Sequence, residues 1–165
     1  MLPNETRIAE WRRGPYVMST DRGRLDMERI HHFLSEQAYW ARGLSRDSIS
    51  RSVEGSIAIG VYADGRQVGF ARVVTDCVRL AYLMDVFIDD EHRGHGLGTW
   101  IAEAIRTHPD LTAVTRWLLS TRDAHAVYQR AGWSPVAQPD WMMEVVAPPA
   151  TPAPGGTGKQ TGNEE

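Results

Sequence analysis

The segment Asp85-Val86-Phe87-Ile88 leads through Asp89-Asp90-Glu91-His92-Arg93 into Gly94-His95-Gly96-Leu97-Gly98-Thr99. Directly after it, Leu97, Trp100, Ile101, Ala104 and Ile105 fall at i, i+3, i+4, i+7 and i+8, the stripe of an amphipathic helix. A helix that opens on glycines presents its first N–H groups with no side chain in the way. Those unpaired donors and the helix dipole make a phosphate site. The chemistry expected here is the binding of a phosphorylated cofactor. Spacing narrows the choice. A dinucleotide fingerprint continuing from Gly94 and Gly96 needs a third glycine where Thr99 stands, and no Gly-Lys-Ser/Thr triplet of a P-loop follows.

What is present is Arg93-x-x-Gly96-x-Gly98, with Ile88 five residues before the arginine. This resembles the acetyl-coenzyme A motif of the GNAT N-acetyltransferase superfamily, V-x-x-x-x-[RQ]-x-x-G-x-[GA]. A later segment, Thr121-Arg122-Asp123-Ala124-His125-Ala126-Val127-Tyr128-Gln129-Arg130-Ala131-Gly132-Trp133, resembles the same family's late helix, N-x-x-A-x-x-x-Y-x-x-x-G-[FW]. Tyr128, Gly132 and Trp133 match, and Thr121 stands where the family often has Asn. The wording of Tyr39-Trp40-Ala41 and Phe70-Ala71-Arg72-Val73 is similar to a bacterial subgroup of that superfamily. The resemblance spans about residues 15 to 146. It implies the GNAT fold: a mixed α/β architecture with a central antiparallel and parallel sheet of six to seven strands, flanked by about four helices.

The resemblance also implies roles. The turn Arg93, Gly94, His95, Gly96, Leu97, Gly98 and Thr99 would cradle a pyrophosphate through backbone N–H groups, with Thr121 and Ala124 adding contacts. The strand edge at Val86, Phe87 and Ile88 would pair with the pantetheine amides as an added strand and polarise the thioester carbonyl. Arg93 either binds phosphate or fixes the loop. Asp85 breaks an otherwise apolar run. Burial raises a carboxyl pKa, so Asp85 is read either as a general base or collector of the acceptor's ammonium, or as a structural hydrogen-bonding group. Tyr128 stands where the family uses a general acid, and its alternative is a core tyrosine beside Ala124, Val127 and Ala131.

His125, one turn before Tyr128, is either an acceptor contact or base, or a half-exposed structural histidine. Phe33, Tyr39, Trp40 and Trp141 are candidates for an aromatic acceptor wall, and Arg72 either meets a substrate carboxylate or pairs with Asp85. His92 and His95 lack a third ligand of compatible spacing, so no metal is expected. Cys77 has no activating base nearby in the sequence and is read as inert.

The elements that must position these residues read as β-α-α-β-β-β-α-β-α-β. Tyr16–Thr20 is a short strand. Asp26 caps a helix with the stripe Met27, Ile30, Leu34, Ala38 and Ala41, ended by Gly43. Ser45 to Val53 is a second helix. Strands at Ser56–Tyr62 and Gln67–Thr75 flank Asp64-Gly65, a two-residue hairpin signal. Val78–Ile88 is a central strand, Gly96–His108 a helix stopped by Pro109, Ala113–Leu119 a strand and 122–131 a helix. Trp133–Val146 is expected to hold a terminal strand or two. Residues 1–14 read as a flexible N-terminus, 15–146 as the catalytic domain, and 147–165 as a disordered tail rich in Pro, Gly and Thr.

Bulk properties bound the rest. The 165 residues carry 42% hydrophobic and 24% charged side chains, the composition of one ordinary globular domain. A net charge of −3 argues against coating nucleic acid, although Arg12, Arg13, Arg22 and Arg24 form either a solvated face or a local anion contact. No run approaches the roughly 20 apolar residues of a membrane span. One cysteine and no signal-peptide pattern fit a cytoplasmic protein, monomer or homodimer. The function expected is N-acetyltransfer from acetyl-CoA to the primary amine of a small molecule (an amino acid, polyamine or amine-bearing antibiotic), direct in a ternary complex. The alternatives are a protein or peptide N-acetyltransferase of the same fold and a non-catalytic coenzyme A sensor.

Overall fold

The computed structural model describes residues 5–148. Two units separate by contact, one ending at Ser134 and one beginning at Pro135. In the first, β1 (Glu10–Arg13), β2 (Tyr16–Ser19), β3 (Ile57–Ala63), β4 (Arg66–Thr75), β5 (Leu80–Ile88) and β6 (Arg116–Leu118) form one sheet in that order. β1 to β5 are antiparallel neighbours, and β6 joins β5 in parallel. The helices are α1 (Met27–His32), α2 (Arg46–Glu54), α3 (Leu97–Ala104) and α4 (His125–Arg130). In the second unit, the described residues hold one short 3-10 turn, Pro139–Trp141, and no strand. The strands expected in Trp133–Val146 are therefore corrected: valine, methionine and tryptophan favour a pleated surface, but that preference names no partner strand. The tail beyond 148 lies outside the described residues.

Alternation along the strands builds a core on each face of the sheet. Ile57, Ile59 and Val61 of β3 point to the face packed with Leu97, Trp100, Ile101 and Ile105 of the α3 segment. Ala58, Phe70 and Phe87 point the other way, into a cluster with Ile30, Leu34, Ile49 and Val53 from the α1–α2 side. The Asp64-Gly65 hairpin forms as expected, with both residues at positive φ (49° and 75°). Asp26 caps α1 by accepting from the Arg29 N–H at 3.0 Å.

Two features depart from the sequence reading. β1 falls within the polar stretch 1–14, where its arginines gave no strand signal; it forms because β2 offers an antiparallel partner, Trp11 opposite Met18. The helix expected to run on toward Ala41 widens to a π turn at Phe33–Gln37 and ends at Ala38, whose N–H bonds to the Phe33 carbonyl at 3.0 Å. Ala38 and Ala41 stay buried after the helix has ended, so the apolar stripe continues through a change of backbone.

The N-terminal segment is tied down at His108, which is fully buried. Its Nε2–H donates to the Arg7 carbonyl at 3.0 Å, and its Nδ1 accepts from the Asp110 N–H at 3.1 Å. Both nitrogens are thus satisfied by the neutral ring. Burial pushes the His108 pKa below its ordinary 6.5. Below pH 6.5 the unfolded chain therefore binds more protons than the native one, and stability falls as pH falls. Urea denaturation at pH 7.5 and 5.5 should show this loss in the wild type. It should show a flatter pH dependence in His108→Gln, which is less stable at neutral pH.

Candidate active site

The site grows from an irregularity in β5. Phe70 of β4 pairs with Phe87, and Arg72 pairs with Met84, so Ala71 alone faces Asp85 and Val86 across the ladder. This is a β-bulge, and Asp85 takes the left-handed conformation at φ 54°. Asp is among the few side chains that tolerate this region. On its other edge β5 pairs β6 only at Leu80, Ala81 and Tyr82. From Leu83 to Ile88 it has no β6 partner, so the edge expected at Val86, Phe87 and Ile88 to receive an extended ligand is free of β6. Gly69 lets the strand end approach closely: a Cβ there would lie 2.6 Å from Ile88 Cδ1 and 3.0 Å from the Phe87 carbonyl oxygen.

Beyond Ile88 the chain makes a short 3-10 turn, Asp90–His92, and enters the glycine loop. Gly94 and Gly96 both have positive φ, 79° and 71°. Gly96 is the N-cap of α3, with no capping side chain and no acidic residue in the first turn. The first N–H groups of α3 therefore have no side-chain partner at the cap, the feature a phosphate requires. A Cβ on Gly98 would press on Val127 Cγ1 at 3.2 Å, so that glycine lets α4 close on α3. Thr99 Oγ1 donates to the Val127 carbonyl at 3.1 Å across the same contact. Arg93 donates to the Ile88 carbonyl at 3.3 Å and pairs with Asp90 at 2.9 Å, which fixes the loop.

The tip of the β1–β2 hairpin reaches this loop, which the sequence did not foretell. Arg13 donates to the Gly96 carbonyl at 3.4 Å, and the Tyr16 hydroxyl meets His92 Nδ1 at 3.1 Å. The other arginines of that basic cluster are structural. Arg12 and Arg24 share Glu10, and Arg22 donates to the carbonyls of Val53, Glu54 and Ser56 at the end of α2.

Asp85 lies beside the opening. One carboxylate oxygen accepts from Arg72 Nε at 2.5 Å, the other from the Trp40 indole N–H at 3.0 Å. The Arg72 and Asp85 side chains are nearly buried, at 12% and 9% exposure. Of the two sequence readings of Arg72, the structure shows the pair with Asp85. Trp40 belongs to the turn after the π segment. There Tyr39 packs edge-on to Trp40 at 5.0 Å, and Phe33 lies 6.4 Å from Trp40 while stacking on Phe87 at 3.9 Å. Arg122, which the sequence did not single out, covers the Tyr39 ring at 3.8 Å. Phe33, Tyr39, Trp40, Arg72 and Asp85 are thus brought together. Trp141 lies in the second unit, where it is exposed.

α4 carries Tyr128, packed edge-on to Trp133 at 6.2 Å. Burial raises the Tyr128 pKa above its ordinary 10.0, and the field of Tyr39 adds to the shift, so the phenol keeps its proton at neutral pH. Thr121 takes a local role: its hydroxyl accepts from the Ala124 N–H at 3.0 Å where α4 begins. His125 opens α4 at an exposed position. The His95 Nδ1 bonds to the carbonyls of His92 and Arg93. No group of three or more His, Cys, Asp or Glu that could hold a metal occurs among the described residues. Burial pushes the Cys77 thiol up, away from the reactive thiolate.

Comparison with known proteins places this geometry in a family. Residues 54–135 match the Acetyltransferase (GNAT) domain. A protein of Gibberella zeae that carries an acetyltransferase name is 32% identical over 165 residues, covering 86% of this chain and 92% of that protein. A GNAT-family structure from Xanthomonas campestris pv. campestris is 41% identical with a TM-score of 0.76, covering 81% of this chain and 94% of that one. A Clostridium acetobutylicum acetyltransferase structure with acetyl-CoA shares the fold at TM-score 0.56 and 12% identity, over 79% of this chain and 94% of that one. The chain belongs to the GNAT acetyltransferase family and is an acyltransferase that moves acetyl groups.

The loop geometry yields a direct check. Gly96→Ala places a Cβ at φ 71°, 3.3 Å from the Arg13 guanidinium. It should destabilise the protein by about 1–2 kcal/mol, the cost of a left-handed non-glycine residue. Thermal denaturation measures this, and an unchanged Tm would mean that the loop relaxes freely.

Proposed function

We propose that the protein transfers an acetyl group from acetyl-CoA to the primary amine of a small molecule, with both substrates bound together. The observation that carries this reading is the meeting of a strand edge left free by β6 with a glycine turn whose helix N-terminus is uncapped. The residues fit the donor. Val86, Phe87 and Ile88 would receive the pantetheine amides along the free edge. Gly94, His95, Gly96, Leu97, Gly98 and Thr99 would hold the pyrophosphate through backbone N–H groups. Arg93 shapes that turn, while Thr121 and Ala124 border it from the start of α4. The Clostridium acetobutylicum structure with acetyl-CoA has the same fold, which supports this choice of donor.

Acetyl-CoA supplies an activated acyl group. The residues of this chain orient and protonate. Backbone N–H groups at the β5 bulge polarise the carbonyl, and the amine nitrogen forms the new C–N bond as the C–S bond breaks. The nitrogen loses its proton to solvent, and Tyr128 gives its phenolic proton to the departing sulfur. The raised Tyr128 pKa keeps that proton in place until transfer.

A small acceptor is favoured because the Tyr39–Trp40 turn closes over the bulge, through the bond from Trp40 to Asp85. An open groove would suit a peptide, and a sensor would have no use for a buried phenol beside that turn. Phe33, Tyr39 and Trp40 form the aromatic side of the acceptor recess, and His125 stands at its outer margin. The single cysteine, Cys77, is consistent with a reducing, cytoplasmic setting.

Acetyl-CoA at 100 times its Kd should stabilise the native state by about 2.7 kcal/mol, read as a rise in Tm. Gly96→Asp places bulk and negative charge at the phosphate turn and should abolish the rise. A normal rise in that variant would refute the donor assignment.

Tyr128→Phe removes only the hydroxyl. In thiol-release assays across an amine library it should lower kcat by about 10²–10⁴-fold, with acetyl-CoA affinity retained. The midpoint of the alkaline fall in the wild-type rate should lie above pH 10, since burial raises the phenol's pKa above that ordinary value. Unchanged turnover in the variant would return Tyr128 to the core.

A further inference from the structure

The carboxylate read from the sequence as either a base or ammonium collector, or a structural group, is held through both of its oxygens. Asp85 Oδ2 takes the Arg72 Nε–H, and Oδ1 takes the Trp40 indole N–H. Asp85 also occupies the left-handed position that makes the bulge. Three things therefore converge on one side chain: the bulge in the part of β5 that has no β6 partner, a nearly buried guanidinium on the neighbouring strand, and the aromatic turn that follows α1. Both oxygens of Asp85 accept from this chain, so Arg72 and Trp40 set the orientation of its carboxylate.

We propose that Asp85 is a positioning residue: its carboxylate, held between Arg72 and Trp40, pins the Tyr39–Trp40 turn to the β5 bulge and so sets the acceptor recess. The reading rests on the acetyl-CoA-dependent transfer proposed above. The pin joins the two sides of the site. Arg72 neutralises Asp85, so the recess does not offer a lone carboxylate to a cationic acceptor. Trp40 is half-exposed, at 47%, and its ring stays available to the acceptor while its N–H is held. Tyr39 follows Trp40 because their rings pack edge to face, and the guanidinium of Arg122 lies on the far side of Tyr39. The bond from Trp40 thus fixes a row running from the bulge to the start of α4.

This assignment differs from general-base catalysis in what compensates a lost charge. Asp85→Asn alone leaves the Arg72 guanidinium nearly buried without its counter-charge, and a buried unpaired charge disrupts its surroundings. Arg72→Gln together with Asp85→Asn removes both charges and keeps a polar pair that can still accept from Trp40. A positioning pin is restored by that second substitution, whereas a base is not.

The test uses the full chain, acetyl-CoA, and the amine that gives the fastest thiol release in a library screen. Acetyl-CoA binding is measured separately by calorimetry. Asp85→Asn should raise KM for the amine about tenfold or more, with the acetyl-CoA Kd unchanged. The paired variant Arg72→Gln/Asp85→Asn should recover kcat/KM to within a few-fold of wild type and keep the acidic limb of the pH–rate profile. Trp40→Phe, which keeps an aromatic ring but loses the N–H, should raise the amine KM about tenfold at nearly constant kcat. Should Asp85→Asn fail to fold, the paired variant and Trp40→Phe carry the test. A paired variant as inactive as Asp85→Asn, or one that has lost the acidic limb, would overturn the proposal in favour of a base. An unchanged amine KM in Trp40→Phe would overturn it as well. Failure of the wild type to bind acetyl-CoA would instead refute the donor reading.

Discussion

β5 has to satisfy two neighbours with different demands. Toward β4 it keeps a ladder from Thr75–Ala81 to Gly69–Ile88, and toward β6 it pairs only through Tyr82. β6 spans only Arg116–Leu118, so the edge of β5 beyond Tyr82 has no β6 partner. The bulge at Asp85 changes the twist and direction of the strand at that point. It places a non-glycine residue in the left-handed region, which costs about 1–2 kcal/mol. The Arg72 ion pair and the Trp40 hydrogen bond offset that cost where it arises. The glycine turn and α3 follow directly from where the bulged strand ends.

The two cores divide the work of the site. On one face, α3 and α4 close on each other through Gly98, Val127 and Thr99, and this contact sets the glycine turn relative to Tyr128. On the other face, Phe33 stacks on Phe87, which itself packs near Phe70. That stack anchors the π turn and hence Tyr39 and Trp40. A π turn inserts one more residue than an α turn, and this one ends at Ala38, just before Tyr39 and Trp40. The proposed donor side and the proposed acceptor side are therefore held by separate cores that meet in one strand.

Periodicity explains what was legible in the residues alone. The α3 stripe, the Asp64-Gly65 hairpin and the Asp26 cap all rest on local rules, and all three appear in the structure. The glycine spacing after Arg93 was legible for the same reason, because φ and close approach are properties of a few adjacent residues. β1 was not legible: it is four residues long, three of its positions are exposed, and its pairing with β2 defines it. The π turn was hidden because Leu34, Ala38 and Ala41 remain buried on either side of it. The terminal strands expected in Trp133–Val146 came from side-chain preference without a partner to confirm it. Asp85 lies between these cases. An Asp in an apolar strand marks either a bulge or a functional carboxylate, and periodicity treats both alike. Its partners lie 13 and 45 residues away, so nothing local reveals them.

Electrostatics at the glycine turn show why net charge was a poor guide to it. The chain carries −3 overall, yet Arg13 donates to the Gly96 carbonyl at the N-terminal end of α3, whose first turn holds no acidic residue, while Arg93 is paired with Asp90. A field of this kind is local, since exposed charges are screened over roughly 8 Å at physiological salt. Within that short range the helix dipole, the uncapped N–H groups and the guanidinium at the hairpin tip all favour an anion. Arg13 joins them only because the β1–β2 hairpin ends beside Gly96. An edge strand with no recognisable sequence pattern thus delivers a cation to the turn that carries the family's motif.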